Sequence, residues 1–223
     1  MKSKNASFTD LALITFGVIG LEVILVLIES LVYNNLHIEN QGVVHNLVHW
    51  TITCIVWGVG VWLLHNYAKK SKNFDLFEAK ERPTRKTILA VFLLLLLSLV
   101  ISISTWNFRF KPMVEFNNMM ICYGESGVLA FIFQYIYYIF ETALIVLIIA
   151  FSQKAGEDKF QNKKFPWGGV FLGITWGLMH VLTKDLQVGI MCFVISILFG
   201  IVFLLLRKNI RYVYIAIFLM FVL

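Results

Sequence analysis

Apolar runs about as long as a bilayer is thick follow one another along the whole chain, separated only by short polar connections. Roughly 20 consecutive apolar residues span a hydrocarbon core, and windows of that length fall near residues 9–33, 42–68, 86–106, 126–151, 166–183 and 186–206. A seventh run, 210–223, is short, ~21 Å at 1.5 Å per residue, and is read either as a partial span or as the stub of a longer helix. Hydrophobic residues make up 59% of the chain and charged residues 14%, at a mean hydropathy of +0.80. Soluble domains carry roughly a quarter charged residues, and one soluble core of this size cannot hide so much apolar surface. Open sheet edges cannot face lipid. The expected fold is therefore all-α, a polytopic transmembrane helical bundle of about seven helices, with residues 1–223 forming a single membrane domain.

The basic residues orient the bundle. Of 19 Lys and Arg, all but Arg109, Lys111 and Lys184 fall in alternate connections: the N-terminus, the second loop (Lys69 to Lys86), the fourth (Lys154 to Lys164) and the sixth (Arg207 to Arg211). Cytoplasmic loops concentrate Lys and Arg, so the N-terminus is expected in the cytoplasm. The +6 net charge is then a topology signal, with membrane lipids rather than nucleic acid as the partner. The first run, Leu11 to Val32, exceeds the roughly 7–15 residues of a signal-peptide core and is expected to stay as an anchor. The simple charge pattern and the lack of long external domains suit a bacterial plasma membrane.

Loop 69–86 mixes charge signs and is expected to form a short interfacial helix stopped near Pro83. The external loop 107–125, with Trp106, Phe108, Phe110 and Phe116, reads as interfacial. Cys54, Cys122 and Cys192 lack the clustered spacing of a zinc site and are read as small buried hydrophobes.

Ionisable residues within membrane helices are costly, and each is a functional-site candidate. They are Glu22 and Glu29 in the first helix, His45 and His49 in the second, Glu141 in the fourth and His180 in the fifth. At 1.5 Å per residue from the cytoplasmic ends, Glu22, Glu141 and His180 fall at ~20, ~15 and ~21 Å, and His49 at ~28 Å. The first three share a level, with His49 reachable if its helix tilts. Glu22 and Glu29 lie on one helical face and are equally readable as carboxylates paired inside the bundle. His45 and His49 have the i,i+4 spacing that lets two imidazoles bind one metal. However, HNLVH lacks the glutamate of HExxH, and hydrogen-bonded anchoring beside Trp50 is the plainer reading. His65, among Trp62, Asn66 and Tyr67, reads as interfacial. Gln134, Tyr137 and Tyr138 are expected to hydrogen-bond within the bundle.

From about Phe131 to Leu223, inside a region of about 126–223, three short patterns carry a resemblance. Glu141 stands in YYIFETALIVLIIAF, and WGLMH places Trp176 four residues before His180. A glycine-bearing helix, a turn and a final helix follow in ILFGIVFLLLRKNIRYVYIAIFLMFVL. This stretch resembles the CPBP family, the CAAX-processing and bacteriocin-processing intramembrane proteases. Its motifs are EExxxR, FxxxH and a late histidine followed four residues on by Asn. Glu141 matches the first carboxylate, while Thr142 and Val146 stand at the second carboxylate and the arginine. Trp176 replaces the Phe before His180, and Phe218 and Val222 fall where the last histidine and Asn belong.

The resemblance implies peptide hydrolysis within the membrane. Glu141 would take a proton from water, and His180 would position that water or polarise the scissile carbonyl. Trp176, Glu22 and His49 are supporting candidates, with Glu22 or His49 supplying the group that the third motif lacks. A closed catalytic zinc site needs three protein ligands and the matched motifs supply two, so no metal ligands are assigned. The cofactor, and the choice between a glutamic and a metal-dependent mechanism, stay open. The implied partner is a membrane-associated or lipidated peptide. Two other readings stand beside the endopeptidase: an inactive CPBP-like scaffold, regulator or immunity protein, and a small proton-coupled transporter using Glu22, Glu141 and His180.

Overall fold

The computed structural model describes residues 6–35, 42–78 and 81–223, and every regular element in them is helical. Lys2, Lys4 and Lys80, counted above among the basic connections, lie outside the described residues. In chain order the helices are α1 (Phe8–Asn35), α2 (Val43–Lys72), α3 (Arg85–Thr105), α4 (Lys111–Tyr123), α5 (Gly127–Phe160), α6 (Trp167–Leu172), α7 (Leu178–Thr183), α8 (Leu186–Leu205) and α9 (Ile210–Val222). A 3-10 turn, Gly124–Ser126, joins α4 to α5, and a π turn, Gly173–Gly177, joins α6 to α7. Five stretches are long and apolar enough to cross a membrane: α1, α2, α3, the α4–α5 stretch Lys111–Phe160, and α8. The α6–α7 stretch Trp167–Thr183 and α9 are shorter apolar helices.

Local chemistry sets the boundaries. After Pro83, the Thr84 hydroxyl accepts the Thr87 N–H and starts α3, and the Asp185 carboxylate accepts the Val188 N–H and starts α8, as N-caps do. Asn73 adopts the left-handed conformation (φ 51°) and the Phe74 N–H reaches back to the Ala68 carbonyl, closing α2 in the manner of a Schellman turn.

The core is centred on α5, whose residues 144–151 are all buried. Around it pack α1, α2, α4, α6 and α9, while α8 packs against α3, α6 and α7. By contrast, α1 and α3 leave most of their Leu, Ile, Val and Phe side chains exposed, as a lipid-facing surface allows. Lipid supplies no hydrophobic drive for helix association, so close backbone approach and polar contacts must hold the bundle.

At the basic end of the bundle the polar contacts form a lock. The Gln153 amide nitrogen donates to Glu157 Oε1 at 2.8 Å and to the Phe165 carbonyl at 3.0 Å, and its oxygen accepts the Gly168 N–H at 3.0 Å. Lys208 Nζ reaches both oxygens of the buried Glu157 at 2.6 Å.

Four expectations need correction. The stretch 107–125 is no loop: α4 fills most of it, opened by Pro112 in its first turn and reversed at Gly124 (φ 56°). It folds back on α5, with the Phe116 and Phe131 rings 5.4 Å apart. The interfacial helix near Pro83 is absent among the described residues, because α2 itself continues to Lys72 and a turn follows. The fourth predicted helix runs to Phe160 rather than 151, the buried Gln153 and Glu157 being satisfied by the lock. Counted from that end, Glu141 lies ~29 Å along its helix, nearly twice the depth read from sequence. Of the cysteines, Cys54 and Cys192 are buried but Cys122, on α4, is exposed.

Candidate functional site

Glu141 sits on the inward face of α5, 7% exposed, and its Oε1 accepts the indole N–H of Trp176 at 2.9 Å. Trp176 belongs to the π turn. A single π turn shifts the side chains after it around the helix axis, and such turns recur at functional sites. Here it aims the indole at α5 and places His180 in the turn that follows. His180 Nδ1 lies 2.9 Å from the Trp176 carbonyl, and the two rings meet edge to face at 4.6 Å. A carbonyl only accepts, so Nδ1 carries the proton and Nε2 holds a lone pair in the neutral ring. One residue thus ties both candidates together, its side chain to Glu141 and its backbone to His180.

Both line a cavity of about 540 Å³ bordered by α1, α5, α7, α8, Trp50 of α2 and the ends of α3, α4 and α9. Glu141 Oε2 and His180 Nε2 have no hydrogen-bond partner among the described residues. The charged groups on the same walls are Glu22, Lys111, Glu115 and Lys184. Glu22 accepts the Tyr137 hydroxyl at 2.9 and 2.8 Å on its two oxygens. The structure therefore brings Glu22, Glu141, Trp176 and His180 to one cavity. His49 stands behind Glu22 and off the cavity wall, between Glu22 (3.5 Å) and Glu29 (2.8 Å).

Two wall residues escaped sequence reasoning. Lys111 Nζ donates to the Phe221 carbonyl at 2.6 Å and lies over the Tyr138 and Phe221 rings. Glu115, 7% exposed, accepts the hydroxyls of Tyr138 at 2.8 Å and Tyr135 at 3.3 Å, and Gln134 donates to Tyr138 at 2.6 Å. The signal was present in FKPMVEFNNMM, where a proline in the first turn stands between a Lys and a Glu four residues apart on one helical face.

The altered motif positions sit elsewhere. Thr142 is fully buried with its hydroxyl on the Tyr138 carbonyl, and Val146 and Val222 are buried in packing. Phe218 stacks parallel to Tyr214 at 6.5 Å. None of the four lines the cavity. The i,i+4 histidines diverge as well. His45 meets the Tyr33 ring, while His49 turns opposite ring nitrogens to two different carboxylates. Among the described residues no group of three or more His, Cys, Asp or Glu is placed to hold a metal ion. His65 packs edge-on against Phe77.

Comparison of the chain with protein-family models, with characterised proteins and with solved structures returns no match.

Proposed function

We propose that this chain is a CPBP-like intramembrane endopeptidase acting on membrane-associated or lipidated peptides. The observation that carries the reading is the pairing of Glu141 and His180 through Trp176 on one cavity wall, with Oε2 and Nε2 unpartnered. A water held between those two atoms would give one proton to Glu141 as its oxygen attacks the scissile carbonyl carbon. When the carbon–nitrogen bond breaks, that proton passes to the leaving amine. His180 Nε2, a lone pair in the neutral ring, orients the water; it becomes a donor for the oxyanion only after taking up a proton. Lys184, on the same wall, is a cation available for that charge. The chain is placed in a bacterial plasma membrane with its N-terminus cytoplasmic, supported by the alternation of basic connections.

A second reading, a non-catalytic CPBP-like binding or immunity protein, is favoured by one specific observation. Thr142, Val146 and Phe218, at positions where the family carries polar groups, add nothing to the cavity. The two readings separate in reconstituted vesicles given a membrane-anchored peptide and assayed by mass spectrometry. Cleavage by the wild type that is lost in both Glu141→Gln and His180→Ala supports the protease. Equal peptide binding by all three proteins without cleavage supports the binder.

A further inference from the structure

A second polar cluster lies where α1 meets α2, and the cavity chemistry leaves it unused. Glu22 and Glu29, seven residues apart on α1, face α2, and the His49 ring stands between them. Nδ1 is 2.8 Å from Glu29 Oε2 and Nε2 is 3.5 Å from Glu22 Oε1. From α5, Tyr137 holds Glu22 from the other side with its hydroxyl, its ring 4.7 Å from Trp57. At the far end of the cluster two buried polar atoms, Glu29 Oε1 and His45 Nδ1, have no hydrogen-bond partner among the described residues.

Charge arithmetic makes this more than a clamp. One imidazolium balances one carboxylate, and the second, Glu22, is met from the other side by the Tyr137 hydroxyl. A proton entering the cluster can be held by any of its three members, which the ring of His49 connects. Its geometry gives that proton a direction, because each carboxylate faces a different nitrogen of a single ring, and Glu22 alone of the three reaches the cavity.

We propose that Glu22, His49 and Glu29 form a proton relay between the cavity beside Glu141 and the α1–α2 end of the bundle. As the O–H bond of protonated Glu22 breaks, N–H forms at Nε2 and the ring becomes imidazolium. The Nδ1–H bond then breaks and O–H forms on Glu29. One proton has crossed the width of the ring with no oxidant or reductant, and a turn of the ring, or transfer in reverse, resets it. The relay concerns proton supply to the cavity and stands whether or not peptides are cleaved there.

The test uses the full chain in oriented vesicles. The pH on the α1–α2 side is stepped, and protonation of Glu22 is followed by its infrared carboxyl band, assigned by its loss in Glu22→Gln. In the wild type the band should follow the step. His49→Gln keeps hydrogen-bonding groups but carries no transferable proton, and should slow the response about a hundredfold, the lower end of what a positioned proton-transfer group contributes. His49→Ala should be equally slow and recover when imidazole is added, a rescue that a purely structural role does not give. A wild-type rate in folded His49→Gln, or no gain from imidazole in His49→Ala, overturns the relay. So does a wild-type Glu22 band that ignores the step, or one whose rate is the same in D2O as in H2O. These last two need no His49 variant to fold.

Discussion

Gly169 of α6 and Gly200 of α8 meet through their backbones: a Cβ built on Gly200 would stand 2.6 Å from the Gly169 nitrogen, and one on Gly169 would stand 2.6 Å from the Ser196 carbonyl oxygen. This approach seats the short α6 helix, and with it the π turn that aims Trp176 at Glu141. Because neither obstructing atom belongs to a flexible side chain, the helices must part to admit a methyl group. Gly169→Ala should destabilise the protein by about 1–3 kcal/mol, the usual range for overpacking. Gly17→Ala, where a Cβ meets nothing within 4 Å, should change stability by less than ~1 kcal/mol. Thermal unfolding in detergent compares the two.

Glu141 and Trp176 separate structure from chemistry. Trp176→Phe leaves Glu141 Oε1 without its indole donor inside the bundle, and should cost about 1–3 kcal/mol. Glu141→Gln keeps a carbonyl-type oxygen to accept the same N–H, so its stability should lie within ~1 kcal/mol of the wild type. If Glu141 is the base, that variant should nonetheless lose cleavage. Unfolding midpoints and peptide turnover, measured on the same preparations, check both expectations.

At the lock, Glu157 is 6% exposed and Lys208 about a third exposed. Removing the ammonium in Lys208→Met leaves a buried carboxylate with Gln153 as its one remaining donor among the described residues. The cost should be about 2–3 kcal/mol, below the 3–5 of breaking a fully buried pair, because water can reach the site vacated by the lysine. Lys208→Arg should recover most of the loss. Denaturant unfolding of the three proteins decides whether the lock stabilises the bundle.

The turn after α2 should respond to acid. Asp75 accepts the Lys69 ammonium at 2.8 Å and the Phe77 N–H at 2.9 Å, and these bonds, the Lys69 one foremost, hold its carboxyl below the usual range. A depressed carboxyl means that the unfolded turn binds its proton more readily than the folded one. The contribution is therefore present above the unfolded value near ~3.9 and is lost as pH falls through the lower folded one. Hydrogen-exchange protection of the Phe77 amide, corrected for the intrinsic rate, should drop below about pH 4. Asp75→Asn keeps an acceptor for that N–H but loses the Lys69 ion pair, so its protection should be below the wild type's at neutral pH and stay level as pH falls.

Sequence alone determined the helices and much of the site's membership. The period and length of apolar runs located seven helices to within a few residues, apart from the far end of α5, because a backbone in lipid must satisfy its own hydrogen bonds. The same economy marked Glu22, His49, Glu141 and His180 as candidates, because an ionisable side chain in a membrane helix is costly. It missed α4, since a short stretch interrupted by Lys, Pro, Glu and Asn has no long apolar run to betray a helix. Missing α4 also hid Lys111 and Glu115. Tertiary structure decided which polar groups face one another. Glu141 takes an indole rather than an imidazole because the π turn rotates Trp176 toward α5, and a break in helical period has no signature in residue type. His49 faces Glu22 and Glu29 rather than His180 because α2 lies against α1 at that height. That choice depends on helix crossing and depth, which are set by contacts between residues distant in the chain and not by any one helix's own sequence.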